Sequence, residues 1–149
     1  MNNLAEIEIK EQHALKEVEI LSNTESILAQ LEIEPTTMKS TKLLRWKRTH
    51  YRAVINWLTK YKPQPNATNL EKVRGLLEAF HHLWEVEAWE EASKIIAIRL
   101  NTPTKQELHN QLGTWGYYHE LVELCNRLLG KINSSWDAML LNNLGLSYI

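Results

Sequence analysis

Along nearly the whole chain, apolar side chains recur every three or four residues, and no stretch alternates every second residue for long enough to make a strand. That period lays one apolar stripe along a helix and leaves no pattern from which a sheet could be built. Only five glycines and four prolines occur in 149 residues, so the helices are interrupted at a few places. The expected fold class is therefore all-α.

The interruptions divide the chain. Leu4, Ile7, Ala14, Val18 and Leu21 predict an amphipathic helix over 4–21. Ser22-Asn23-Thr24-Glu25 has the form of a capping box, opening a short helix with Ile27, Leu28 and Leu31 inward, and Pro35 ends it. Leu43, Leu44, Val54, Trp57, Leu58 and Tyr61 predict a helix over about 40–61, and Pro63-Gln64-Pro65-Asn66 reads as a linker. Thr68-Asn69-Leu70-Glu71 is a second capping box, followed by Val73, Leu76, Leu77, Phe80, Leu83 and Trp84 on one side. The next helix, about 88–100, buries Trp89, Ala92, Ile95, Ile96 and Leu100.

Thr102-Pro103 predicts a helix start, with Leu108, Leu112 and Trp115 inward and an end near Gly116. Tyr118 to Leu129 follows with Leu121, Leu124, Cys125 and Leu128 inward, and Gly130 fits a C-cap. Ser134 or Ser135 is the expected cap of a last helix carrying Leu140, Leu141, Leu144 and Tyr148. Three segments result: an acidic helical segment 1–38, a basic helix 40–62, and paired helices over 68–149.

The formal net charge of −1 conceals a strong asymmetry. Residues 1–34 carry eight glutamates against Lys10 and Lys16. Residues 35–65 carry Lys39, Lys42, Arg45, Lys47, Arg48, Arg52, Lys60 and Lys62 with no acid. The plain reading is that the acidic head pairs with the basic band within the chain. The other is that Lys42, Arg45, Lys47, Arg48 and Arg52, with Trp46, Tyr51 and Trp57 among them, form a cationic and aromatic surface for nucleic acid. A single cysteine allows no internal disulfide, and neither a signal peptide nor a membrane span is visible, so a cytoplasmic location is expected.

From residue 70 onward the helices are short and recur. Trp89, Ala92 and Ile96 return as Tyr118, Leu121 and Cys125, 29 residues on, and Leu112 returns as Tyr148, 36 residues on. These spacings straddle the roughly 34-residue period of helical-hairpin repeats. With Leu141-Asn142-Asn143-Leu144-Gly145-Leu146-Ser147-Tyr148 as a first-helix signature, the chain resembles the tetratricopeptide repeat (TPR) family. Gly116-Tyr117-Tyr118-His119-Glu120-Leu121 and Glu87-Ala88-Trp89-Glu90-Glu91-Ala92 resemble that family's turn and second-helix signature. Ala79-Phe80 and Leu108-His109 stand where the family has a Leu-Gly pair. The phrase from Leu76 to Leu129 looks most like repeat arrays attached to bacterial signal-transducing NTPases of the STAND type, although no phosphate-binding glycine loop is present.

This resemblance implies an antiparallel helix-hairpin solenoid with a right-handed superhelical turn and extra N-terminal helices. It also implies a protein-binding module, with the partner in a groove lined by the first helix of each pair. The groove residues it implies are Arg74, Leu77, His81, Trp84 and Glu85, then Gln106 and Asn110, then Asn142 and Leu146. The sequence ends after one helix of a pair. Solenoid ends need covering, so the expectation is either a truncated or split product, or docking of Leu140, Leu141, Leu144 and Tyr148 on another copy or another chain.

Other candidates read as structural. His81-His82 with Glu78 and Glu85 suggests a metal, but adjacent residues point about 100° apart on a helix, so only one histidine joins a glutamate. Cys125 sits among Leu121, Leu124 and Leu128 and reads as a small buried hydrophobe. Trp84, Trp89 and Trp115 are expected in the core. No motif for nucleophilic, paired-carboxylate or metal chemistry occurs, so neither catalysis nor a cofactor is expected.

Overall fold

The computed structural model describes Ile20, residues 24–33 and residues 44–147. The expected helix over 4–21, its capping box at Ser22-Asn23, the Pro35 break, Lys42 and Tyr148 lie outside the described residues. Eight helices are described: α1 Thr24–Gln30, α2 Arg45–Thr59, α3 Asn69–Lys72, α4 Arg74–Glu85, α5 Trp89–Ile96, α6 Leu108–Trp115, α7 Tyr118–Leu128 and α8 Ser134–Ser147. Among the described residues there is no strand, and the only extended pairing is an isolated antiparallel bridge between Arg99 and Glu107. The chain is all-α.

Burial follows the predicted stripes. On α4, Leu76, Ala79, Phe80 and Leu83 are fully buried, and on α7 Leu121, Leu124, Cys125 and Leu128 are buried. These join Ile27, Leu28 and Leu31 near α1, Val54 and Leu58 of α2, and Leu140 and Leu144 of α8 in one continuous core. Each fully buried side chain of this size removes apolar surface worth about 1.5–3 kcal/mol.

Helix α2 lies antiparallel on α4. Tyr61 Oη donates to Glu71 O at 2.8 Å, Trp57 O lies against Gly75, and His50 meets His82. Sequence numbers rise on one helix as they fall on the other. The pair approaches so closely because residue 75 lacks a side chain: a Cβ there would lie 2.8 Å from Trp57 O. Neighbouring helices then pack in turn, α4 with α5, α6 with α7, and α7 with α8.

The caps test the sequence reading locally. Thr68 Oγ1 accepts from Glu71 N at 3.2 Å, as the capping box requires. Val73 interrupts the helix after α3, yet its N–H still bonds Asn69 O. Gly116 takes φ +87° at the end of α6, the left-handed conformation that closes a helix cheaply only with glycine.

Two expected starts fall elsewhere. Thr102-Pro103 forms a turn, and α6 begins at Leu108. Leu100 N bonds Gln106 O at 2.9 Å and Leu108 N bonds Ile98 O at 2.8 Å, so the chain doubles back on itself before the helix. The Thr102 and Thr104 hydroxyls both donate to buried Gln111 Oε1, at 2.6 and 2.8 Å, instead of capping a turn of helix. At α8 the cap is Asn133, whose Oδ1 accepts from Trp136 N at 3.0 Å, and neither Ser134 nor Ser135.

Three apolar expectations change as well. Leu44 is 62% exposed, since α2 begins only at Arg45. Trp84, Trp89 and Trp115 are only partly buried, and of the three Trp115 packs against the core. Leu140 and Leu144 are already buried, which leaves Leu141, 55% exposed, as the outward part of the expected docking face.

Candidate functional site: the groove between α4 and α7

Helices α4 and α7 face each other across an open groove. Its floor is apolar, from Leu77, Phe80 and Leu124. Its rim is charged: Glu78 and His81 on α4, and Glu120, Glu123 and Arg127 on α7. The cavity measures about 290 Å³. A second hollow of about 490 Å³ lies beyond the Glu123–Arg127 row, lined by Trp84, His119, Val122, Asn126 and Lys131 as well.

Arg127 organises this place. Its Nη2 pairs with Glu123 Oε1 at 3.1 Å, one helical turn earlier, and its Nη1 donates to His81 Nδ1 at 3.0 Å. The guanidinium lies 5.2 Å over the Trp84 ring, and Trp84 Nε1 donates to Arg127 O at 3.1 Å. Lys131, one turn further, lies 5.0 Å over Trp89, and the two indoles meet edge to face at 6.0 Å. Because Arg127 donates to His81 Nδ1, the His81 proton sits on Nε2, 3.7 Å from Glu85 Oε1.

Of the residues implied by the repeat resemblance, Leu77, His81 and Trp84 meet here, with Glu85 behind His81. Arg74 is exposed at the far end of α4, 3.9 Å from Glu78 and 5.5 Å over Trp57. Gln106, Asn110 and Asn142 line neither cavity, and the Leu146 side chain lies outside the described residues. Gln106 instead accepts from Thr114 Oγ1 at 2.8 Å. The α7 wall was not anticipated. Its only sequence signal is the Glu123–Arg127 spacing of four, which marks a pair on one helix and says nothing about the helix opposite.

In the basic band, Arg45, Arg48 and Arg52 share one stripe of α2, pointing away from buried Val54 and Leu58, and form no ion pair with a described residue. Lys47 lies off that stripe, its Nζ 5.7 Å over the half-exposed Trp46 ring.

Three other histidines lie at helix seams. His50 Nδ1 and His82 Nδ1 share a 2.9 Å hydrogen bond between α2 and α4, with His81 edge-on beside His82. Burial holds the His82 pKa below its usual value, and His50 and His81 push it the same way, against Glu78 and Glu85. His109 is buried on α6, where Asn143 Nδ2 donates to its Nδ1 at 2.8 Å. Burial lowers its pKa too, against the pull of Glu107. Among the described residues no three His, Cys, Asp or Glu side chains converge as metal ligands. Burial raises the Cys125 thiol to about 11, which suits a packing role. No described helix is long and apolar enough to cross a membrane.

Comparison of the chain with protein-family models, with curated proteins and with solved structures gave no match.

Proposed function

We propose that this chain is a protein-interaction module of TPR-like design, a sensor, regulatory or scaffold segment of a larger bacterial signalling system, and that it does no catalysis. The observation that carries the reading is the α4–α7 groove, with an apolar floor and a charged rim built from two helices. Such a groove suits an extended segment or a helix of another protein, with pockets for a few side chains. The repeat spacing and the Leu144-Gly145 and Trp89-Ala92 signatures support the family part of the proposal, including the right-handed superhelix. Fold alone does not assign a function, so the weight rests on the groove.

The test is a pull-down from a bacterial lysate with the tagged chain, split between nuclease-treated and untreated samples. The expected result is a discrete protein retained after nuclease and lost with Trp84→Ala or Leu77→Arg, each variant checked for folding by circular dichroism. Material that disappears with nuclease sinks the reading.

A second reading has one observation of its own: Arg45, Arg48 and Arg52 are aligned on the outer face of α2 with no described ion pair. That face fits a nucleic-acid backbone. Binding of single-stranded nucleic acid that falls steeply with salt, and is abolished by Arg45→Glu with Arg48→Glu, would favour it.

A further inference from the structure

We propose that the cavity between α4 and α7 receives a basic side chain, lysine or arginine, from the partner's docking segment. This rests on the protein-interaction reading and gives that partner a chemical identity.

Charge decides the sign of the guest. Glu78, Glu120 and Glu123 line the cavity against one guanidinium. That guanidinium is already engaged: Arg127 is held by Glu123, by the His81 ring and by the Trp84 face. Glu120 makes no ion pair with any described residue. Glu78 has only Arg74, at 3.9 Å with that side chain 57% exposed, a solvated contact that a better-placed cation replaces with little loss. An incoming carboxylate would face surplus negative charge, and an apolar side chain would strip water from the carboxylates without replacing it.

Shape and polarity agree with charge. A cavity of about 290 Å³ is at the lower limit for a small-molecule site and suits one long side chain. Lysine and arginine bury an aliphatic stem on apolar surface while the charged head stays at a polar rim. Leu77, Phe80 and Leu124 offer the surface for the stem, and the glutamates offer the rim for the head. Arginine adds a planar fork that matches a carboxylate in two bonds, so it is the better guest.

The experiment is selection of a random short-peptide library displayed on phage against the immobilised full chain, repeated with Glu120→Lys and with Glu78→Gln. Both positions are outside the core, and thermal melts verify that each variant folds. Expected is a consensus with arginine or lysine at one fixed position, flanked by apolar residues. The selected peptide should then bind Glu120→Lys at least about tenfold more weakly in fluorescence anisotropy. Selection on Glu120→Lys should lose the basic position. Groove-dependent peptides with no basic position, or a basic consensus indifferent to Glu120 and Glu78, would overturn this inference and leave the interaction reading standing. No enrichment at all, or peptides whose binding ignores Leu77→Arg, would overturn both.

Discussion

Helix α4 has two flanks, and they are built on opposite principles. Towards α2 it presents Gly75, and the two backbones meet so closely that Trp57 O occupies the space a Cβ would need. Towards α7 it presents Leu77 and His81, which line the cavity between the helices, and Trp84, which lines the hollow beyond. At Gly75 the first flank brings backbone against backbone, with the His50–His82 and Tyr61–Glu71 hydrogen bonds on either side of it. On the second, contact runs through Arg127, which bridges to Trp84 and His81 with a hydrogen bond and a cation stacked on an indole. A seam closed by a missing side chain has no room for a ligand, whereas one spaced by long polar side chains leaves charged groups facing solvent. The groove is thus a consequence of how α7 is propped against α4.

The contrast can be broken most severely at Gly75. Gly75→Leu drives side-chain atoms into Trp57 O and the Tyr61 ring, and should destabilise the chain by about 3 kcal/mol or more, read as a lowered urea midpoint. Trp84→Ala attacks the other flank. It removes a half-buried indole, its hydrogen bond to Arg127 O and the stacking surface for Arg127, at a cost of about 2 kcal/mol in the same assay.

Acidification tests the α2–α4 flank next, together with the separate contact between α6 and α8. His82 and His109 both have folded-state pKa values below the ordinary 6.5, so below that pH the unfolded chain takes up protons that the folded chain resists. Their contribution to stability is complete above 6.5 and is lost as pH falls through the lowered values. Urea melts at about pH 7.5 and about pH 5.5 should show the loss, and His82→Gln should reduce it while leaving the part due to His109. The smallest expected change is at the exposed Arg74–Glu78 pair. Arg74→Ala should alter stability by no more than about 0.5 kcal/mol, because solvent screens that contact. A larger loss would mean that Arg74 stacking on Trp57 stabilises the tight flank.

Much of this was legible in the residues, for identifiable reasons. The buried rows on α4 and α7 follow directly from helical periodicity, and Thr68 caps its helix because the hydroxyl and the Glu71 N–H are three residues apart on one chain. Thr102-Pro103 carries a valid local start signal, yet its hydroxyls go to Gln111, a partner no local rule reveals. Of the groove residues that the repeat alignment implies, Leu77, His81 and Trp84 line one or other cavity, whereas Gln106, Asn110 and Asn142 line neither. Glu120, Glu123 and Arg127, which line the first cavity as well, fall outside the implied groove because that alignment puts the partner surface on the first helices alone.

Sequence by itself determined the helical class, most of the inward stripes among the described helices and several of the stops, because all of these depend on groups within a turn or two along one chain. Only the tertiary structure decided that Gly75 would admit a neighbouring backbone, that Gln111 would take the threonine hydroxyls, and that Arg127 would settle on Trp84 and hold a groove open. Those outcomes join residues seven to forty-six positions apart. Each depends on which helix faces which, and a helix's own periodicity specifies the buried stripe without naming the partner.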